Sequence, residues 1–302
     1  MLTFAIPYHS RPDLLYKTLL SLSKQSSNKW TAFICDDSGT NDITSVLTDF
    51  SELPISHVRN SSSQGISANW NFCTAHVETE YFTLLHADDE LETDYTSHML
   101  ELATQFPEAT LYYCRVTVIG QSGNHIFSFP DLVKSFIAGR TDSITFLSGE
   151  KAACRLLSGN FIFCPSVMYR KSVFPTTGFD TSYSQVMDLD LFMRLLLTGH
   201  TFIGSPQKLY RYRRHKNNLT SLQTSSLLRF KEEVRLYSSL VGQCDHLGWK
   251  AAVRKAKSKR IIKMHLLYRL LGDALHLRTF SILRKLRFFY QLHFINIHKW
   301  GD

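Results

Sequence analysis

Over the first ninety positions the apolar residues fall into two alternating spacings. The run "LTFAIP" (2–7) is short, apolar and closed by proline, the mark of a strand. "PDLLYKTLLSLSKQ" (12–25) then places Leu15, Leu19 and Leu22 on one helical stripe, with Pro12 and Asp13 in the first turn. "WTAFICDDSG" (30–39) predicts a second strand that stops at its acidic end, "DITSVLTDF" (42–50) a second helix and "ISHVRN" (55–60) a third strand. A third helix over "GISANWNFCTAHV" (65–77) and a fourth strand over "YFTLLHADD" (81–89) follow. Strand and helix in this order predict an α/β fold, a mostly parallel sheet with helices on its faces. Such sheets bind ligands beyond the carboxyl ends of their strands. The tips to inspect are therefore "PYHSR", "CDDSG", "VRNSSSQG" and "HADDE".

Two of these tips are paired acids, Asp36 with Asp37 and Asp88 with Asp89. One such pair alone is an ordinary turn or helix cap. Two pairs converging on one sheet edge repel unless a cation or a donor-rich ligand compensates them. That convergence points to a divalent metal and, with it, a phosphorylated substrate. No P-loop and no GxGxxG follows the first strand, where "PYHSRP" stands instead. Without a glycine-rich anion cradle a metal must neutralise any diphosphate, and Asp88 is the residue for that role.

Composition adds limits. The 302 residues suffice for one large domain, or one of roughly 200–230 residues with an appendage. Hydrophobic residues at 44% and charged residues at 20% are ordinary globular values and argue against wholesale disorder. Six cysteines without a CxxC pair read as reduced core residues of a cytosolic protein. The apolar run "MLTFAIP" is too short for a signal peptide and lacks a basic n-region. No stretch of ~18–20 uncharged apolar residues predicts a membrane span. The net charge of +8 divides unevenly: residues 1–228 hold 18 Lys and Arg against 21 Asp and Glu, residues 229–302 hold 16 against 5. The polar stretch "HKNNLTSLQTSS" (215–226) marks the boundary, giving a catalytic domain over 1–222 and a basic helical region over 223–302.

The ordered set "IPYHSRPDLLYKTLLSLSKQS", "ICDDSG", "SQGISANWNFC", "YFTLLHADDEL", "GNFIFCPSVMYRKSVF", "GFDTSYSQVMDLDLFMRLLLTG" and "LYRYRRH" resembles the family 2 glycosyltransferases of GT-A fold, over roughly residues 1–220. The resemblance implies an inverting enzyme that uses a nucleoside-diphosphate sugar and Mg2+ or Mn2+. It assigns nucleobase contact to Asp36, with Asp37 beside it, and the metal to Asp88. It makes Asp188 the general base and brings His215 to the diphosphate and metal. One departure is His86, where the family often has Asp; histidine is itself a competent metal ligand.

The residues themselves support parts of this. "SQVMDLDLFMRLLLTG" (184–199) is apolar nearly all round and reads as a buried helix. Asp190 has a structural partner in Arg194 at i+4. Asp188 points ~200° away around the helix, toward a base role or a plain charge on the helix N-terminus. Arg211, Arg213, Arg214 and His215 form a basic cluster in an otherwise slightly acidic domain, suited to a leaving diphosphate. Pro7, Tyr8 and Arg11 at the first strand tip line the nucleotide pocket, with Asn69 near them; Asn160 faces the acceptor, His9 is incidental and Trp70 is core.

The tail from Lys250 mixes basic residues with Ile, Leu, Phe and Tyr, and predicts amphipathic helices. Ile282, Leu286, Phe289 and His293 share one stripe, with Arg284, Lys285 and Arg287 largely off it. These helices pack on the catalytic domain or lie on an anionic inner leaflet. The second arrangement suits a peripheral membrane enzyme of polysaccharide biosynthesis that takes a glycan or lipid-linked acceptor at the cytoplasmic face. A nucleotidyltransferase would need a glycine- and lysine-rich loop at the first strand, which is absent. A nucleic-acid binder would need aromatic-interleaved or zinc signatures, also absent. The remaining alternative is a catalytically degenerate relative that binds saccharide or scaffolds a membrane complex. Retention of Asp36, Asp88, Asp188 and His215 together speaks against it.

Overall fold

The computed structural model describes residues 1–39, 43–60, 65–127, 129–139, 142–214 and 227–294. Its strands are β1 (Leu2–Tyr8), β2 (Trp30–Asp36), β3 (Ile55–Arg59), β4 (Tyr81–Leu84), β5 (Glu90–Leu91), β6 (Leu111–Ile119), β7 (Thr145–Leu147), β8 (Val167–Arg170) and β9 (Phe202–Arg213). Its helices are α1 (Pro12–Ser23), α2 (Thr44–Thr48), α3 (Ile66–Ala75), α4 (Tyr95–Gln105), α5 (Phe129–Ala138), α6 (Gly149–Leu156) and α7 (Met187–Leu197). Four more helices close the chain: α8 (Leu228–His246), α9 (Lys250–Ser258), α10 (Arg260–Leu275) and α11 (Thr279–Phe294).

One sheet runs in the order β3-β2-β1-β4-β8-β6-β9-β5, with β7 on β9. β3, β2, β1 and β4 are parallel neighbours; β8 lies antiparallel between β4 and β6, and β6 and β9 are parallel again. Both faces of the sheet are covered, so β1 is buried along nearly its whole length. Leu2, Phe4 and Ile6 face one cluster with Leu15, Leu19 and Leu22 of α1, and Ala5 faces the other with Trp70 and Cys73 of α3. The helical stripe read in α1 is therefore the stripe that packs.

The fourth strand is shorter than its apolar run. It ends at Leu84, and residues 85–89 form a link to β5, whose Glu90 and Leu91 pair with Arg211 and Tyr210 of β9. The acids thus lie on a turn between two strands.

The basic C-terminal helices pack on the α/β domain. Phe230, Tyr237 and Leu240 of α8, Ile262 and Leu266 of α10 and Phe288 of α11 belong to one buried cluster with Leu191, Phe192 and Leu196 of α7. Polar contacts cross the same junction. The Glu232 carboxylate accepts from the backbone N–H of Ser184 (3.0 Å) and Gln185 (2.7 Å), and Glu150 accepts from those of Ala251 (2.6 Å) and Ala252 (3.1 Å). The expected boundary at 215–226, with His215, lies outside the described residues.

Two expectations are corrected. Cys35 and Cys73 are joined as a disulfide rather than reduced, because β2 and α3 bring their Cα atoms to 5.8 Å across 38 residues of sequence. Cys114, Cys154, Cys164 and Cys244 are free. In α11 the buried side carries Phe288 and Leu292 together with Lys285, while Leu286 is half exposed to solvent at 50%. The stripe is rotated because Lys285 turns inward to Asp273 of α10, which also accepts from Ser281 Oγ at 2.6 Å. No helix among the described residues is long and apolar enough to cross a membrane.

Candidate active site

β1 lies between β2 and β4, so the tips carrying Asp36, Tyr8 and His86 stand side by side, each ~4.8 Å from the next. At the β2 tip Asp36 is fully buried. Its carboxylate accepts from Ser38 N–H (2.9 Å) and Arg59 Nε (3.1 Å), with His57 Nε2 at 3.5 Å. Burial would raise its carboxyl, but these donors outweigh burial and hold it below the ordinary carboxylate value. Asp37 accepts from Asn60 Nδ2 (3.0 Å), and the same amide donates to Asn69 Oδ1 (3.3 Å). Asn69 in turn donates to the Cys35 carbonyl at 3.4 Å, so α3 and the ends of β2 and β3 are tied together. Tyr8 is buried beside Asp36, and its hydroxyl has no hydrogen-bond partner among the described residues. Burial, with Asp36 and Asp13 nearby, pushes that phenol up to about 12.

The turn after β4 divides its acids by role. Asp89 is buried and accepts from Tyr210 Oη (2.9 Å) and from Arg213 N–H (2.6 Å). Burial, with Asp88 alongside, pushes its carboxyl well above the ordinary value. Arg213 corrects another expectation. Its guanidinium is fully buried, donating to the carbonyls of Asp88 (2.8 Å), Gly120 (3.0 Å) and Gln121 (3.0 Å) and to Glu90. Its charge is engaged inside the fold, where it pins the acid turn rather than reaching a diphosphate.

Asp88 is half-buried at the apex of that turn. Ligand atoms of His86, Asp88 and Asp89 lie within 4.8 Å of one another. His86 Nε2 is buried with no hydrogen-bond partner among the described residues. Burial lowers the His86 pKa, against the charge of Asp88, and so favours the neutral imidazole, the form that binds metals. An orphaned ring nitrogen beside a carboxylate fits a divalent cation. Asp89, already holding Tyr210 and Arg213, chiefly orients the turn.

Asp188 sits in the first turn of α7, half-buried. Its Oδ2 accepts from Asn160 Nδ2 at 2.9 Å, and its Oδ1 from Leu189 N–H at 2.7 Å. Burial raises its pKa despite the Leu189 hydrogen bond and the charges of Lys134 and Arg229. Asn160 Oδ1 is buried without a partner among the described residues. Arg229 donates to Glu233 at 3.0 Å one helical turn along α8, and this pair faces Asp188. The Tyr212 hydroxyl is raised by burial and then by Asp89 and Asp88, against Arg214 and Arg229. Trp70 packs on His86 (5.3 Å between ring centroids) and on Phe179 (5.1 Å), and Ser67 donates to the Tyr183 carbonyl at 2.7 Å. α3 thus ties the acid turn to the segment leading into α7.

The remaining residues sort by geometry. Asp190 pairs with Arg194 at 2.8 Å, the structural contact expected of it. Asn71 makes two 2.8 Å hydrogen bonds with the backbone of Phe179, which Gly178 permits: a Cβ there would lie 2.3 Å from Asn71 Oδ1. Arg11, in a left-handed conformation beyond Pro7, binds Asp13 through two nitrogens (2.8 and 2.7 Å) close enough to Asp88 to feel its charge. Arg214 is half-buried beside Tyr212. Asn60, Lys134, Arg229 and Glu232 were not singled out by sequence reasoning. Asn60 lay within a tip already under inspection, whereas nothing local in α5 or α8 marked the other three.

Residues 3–176 match the family model described as Glycosyl transferase family 2. No curated protein matches the chain significantly. Among solved structures, S. aureus TarS 1-349 has a TM-score of 0.67 at 12% identity, covering 96% of this chain and 80% of that one. The same TarS fragment in complex with UDP-GlcNAc gives 0.68 at 12% identity, covering 96% and 81%. The mannosyltransferase PcManGT from Pyrobaculum calidifontis, in complex with GDP-Man and Mn2+, gives 0.60 at 14% identity, covering 94% and 84%. At such identities the likeness shows the fold, a GT-A-type sheet with helices beyond it. The family match spans more than half of the sequence and includes the acids of the β2 and β4 tips, so the chain belongs to glycosyl transferase family 2.

Proposed function

We propose that the protein is an inverting hexosyltransferase that moves a sugar from a nucleoside-diphosphate sugar to a hydroxyl of a glycan or lipid-linked acceptor. The observation that carries this reading is the Asp188 carboxylate, raised by burial and held by Asn160, on a helix that Ser67 and Trp70 of α3 tie to the acid turn of His86 and Asp88. Asp36, Asp37, Asn69, Pro7, Tyr8 and Arg11 receive the nucleotide at the β1 and β2 tips. Asp88 and His86 would hold Mg2+ or Mn2+, which supplies positive charge against the diphosphate. Arg214 adds charge beside Tyr212, and the family resemblance assigns His215 to the same diphosphate. The GDP-Man and Mn2+ bound by PcManGT, and the UDP-GlcNAc bound by TarS, support a donor of this class.

In the reaction Asp188 takes the proton of an acceptor hydroxyl as that oxygen attacks the anomeric carbon. The bond from that carbon to the diphosphate oxygen breaks on the opposite face, and its electron pair leaves with the nucleoside diphosphate. A single displacement inverts the anomeric centre. In this reading Asn160 Oδ1, which has no partner among the described residues, accepts from the acceptor sugar while its Nδ2 steadies the base. Such a protein works at the cytoplasmic face of a membrane where polysaccharide is assembled.

A screen of nucleotide sugars tests the reading by thermal unfolding with and without Mn2+, followed by donor hydrolysis. At least one donor should raise the unfolding temperature only with the metal and be slowly hydrolysed. No metal-dependent shift with any nucleotide sugar would overturn it.

A further inference from the structure

Helix α10 has two apolar faces. Ile262, Leu266 and Leu270 are buried, whereas Met264, Leu267, Leu271 and Leu275 stand exposed, Leu275 at 83%. At 100° per residue the exposed four fall within an arc of about 80°, across the helix from the buried three. An amphipathic helix packed on a core needs only the first face. Beside it, α11 exposes Phe280, Leu283 and Leu286 with Arg284 and Arg287 among them, while Phe288 and Leu292 face the core. An exposed apolar surface on this scale marks an interaction site.

The charge around it has one sign. Between Lys250 and Leu292 the single carboxylate is Asp273, which is buried and held by Lys285 and Ser281. Arg254, Lys257, Arg260, Arg278, Arg284 and Arg287 are exposed. The surface also borders the acceptor side of the active site. Ile261 of α10 and Ile137 of α5 both pack at Gly159, beside Asn160, and α5 exposes Phe136 at 86%.

Charge selects the occupant. A second copy would bring two like-charged regions together, since residues 229–302 carry 16 basic residues against 5 acidic ones. No described helix suits a span. An anionic surface with an apolar layer beneath satisfies both the arginines and the leucines. We infer that α10 and α11 form a docking surface for the anionic face of a lipid bilayer, on which the protein lies without crossing it. The inference deepens the lipid-linked reading of the acceptor without depending on it, because vesicle binding is read without sugar transfer.

Co-sedimentation of the full chain with vesicles tests it, using phosphatidylcholine alone and phosphatidylcholine with phosphatidylglycerol. Binding is expected to the anionic vesicles at low salt and to be released at 1 M salt, where the Debye length falls to about 3 Å and the apolar face alone does not hold the protein. Arg260→Gln with Arg287→Gln should weaken it ~10–30-fold. Leu275→Glu with Leu283→Glu, at exposed positions that leave the core intact, should weaken it at least ~10-fold with an unchanged circular dichroism spectrum. Equal binding to both vesicle types, or none to either at low salt by the folded chain, would overturn the proposal. So would a dimer in solution that these leucine substitutions dissociate, since the face would then belong to a second copy.

Discussion

Asp88 and Asp89 are neighbours in sequence with opposite surroundings, and the account stands on that difference. Asp88 lies half-buried at the apex of its turn, whereas Asp89 holds Tyr210 and the Arg213 backbone inside the fold. Asp88→Ala should keep the unfolding temperature of the apo protein and lose metal-dependent binding of nucleoside diphosphate. Asp89→Ala should cost ~1–3 kcal/mol of stability by leaving two buried donors unsatisfied. Calorimetry of binding and denaturant unfolding on the two variants separate these roles; equal behaviour would remove the distinction. Asp188 adds a pH dependence. Its folded-state pKa is raised, so its share of stability is present below the unfolded value and lost as pH rises through the folded one. The proposed catalysis runs the other way, because it needs the ionised form as base. The acid limb of kcat should therefore sit above the ordinary carboxylate range, and a limb at or below that range would contradict the burial argument. The positions of Asp36, Asp88 and Asp188 at strand tips and a helix start were legible because acids there stand out against apolar runs. Arg213 was misread because its partners, the carbonyls of residues 88, 120 and 121, come from distant segments that no spacing reveals.

Among the elements, α7 was the easiest to read and α8 the hardest. The all-round apolar pattern of α7 required burial, and Asp190 with Arg194 at i+4 supplied its one internal ion pair. Asp188, the proposed base on α7, is also positioned from outside. Glu232 of α8 takes the backbone N–H groups of Ser184 and Gln185, just before α7 begins. Glu232→Ala should lower kcat while leaving donor affinity nearly unchanged, and cost ~1–3 kcal/mol of stability. Steady-state kinetics with a fixed donor would show it, and an unchanged kcat would make Glu232 a bystander. The α11 stripe was misplaced for a related reason. Both sides of that helix carry Leu and Phe, so apolar period alone does not choose the inner one, and a buried pair from Lys285 to Asp273 decides it.

At the scale of the whole molecule, the division of charge was legible, and the packing of the basic helices on the α/β domain was one of two arrangements that the sequence left open. The basic last quarter stood out from a slightly acidic remainder, yet its helices complete the core behind α7. A chain ending at residue 222 should not yield a free catalytic domain, because Leu191, Phe192 and Leu196 would lose their cover from Phe230, Tyr237 and Leu240. Size-exclusion chromatography and circular dichroism of that fragment are expected to show aggregated or unfolded protein, and a folded monomer would restore the appendage reading. The parallel half of the sheet followed from alternating periods, whereas the antiparallel β8 between β4 and β6 depends on pairings between distant segments. The central claim is that these parts converge on one displacement with Asp188 as base. The most direct measurement compares wild type with Asp188→Asn for both donor affinity and sugar transfer, using the donor found by the nucleotide-sugar screen. The account predicts donor affinity within about twofold of wild type and a loss of turnover of ~10²–10⁴-fold. Turnover retained in Asp188→Asn, with donor still bound, would contradict it.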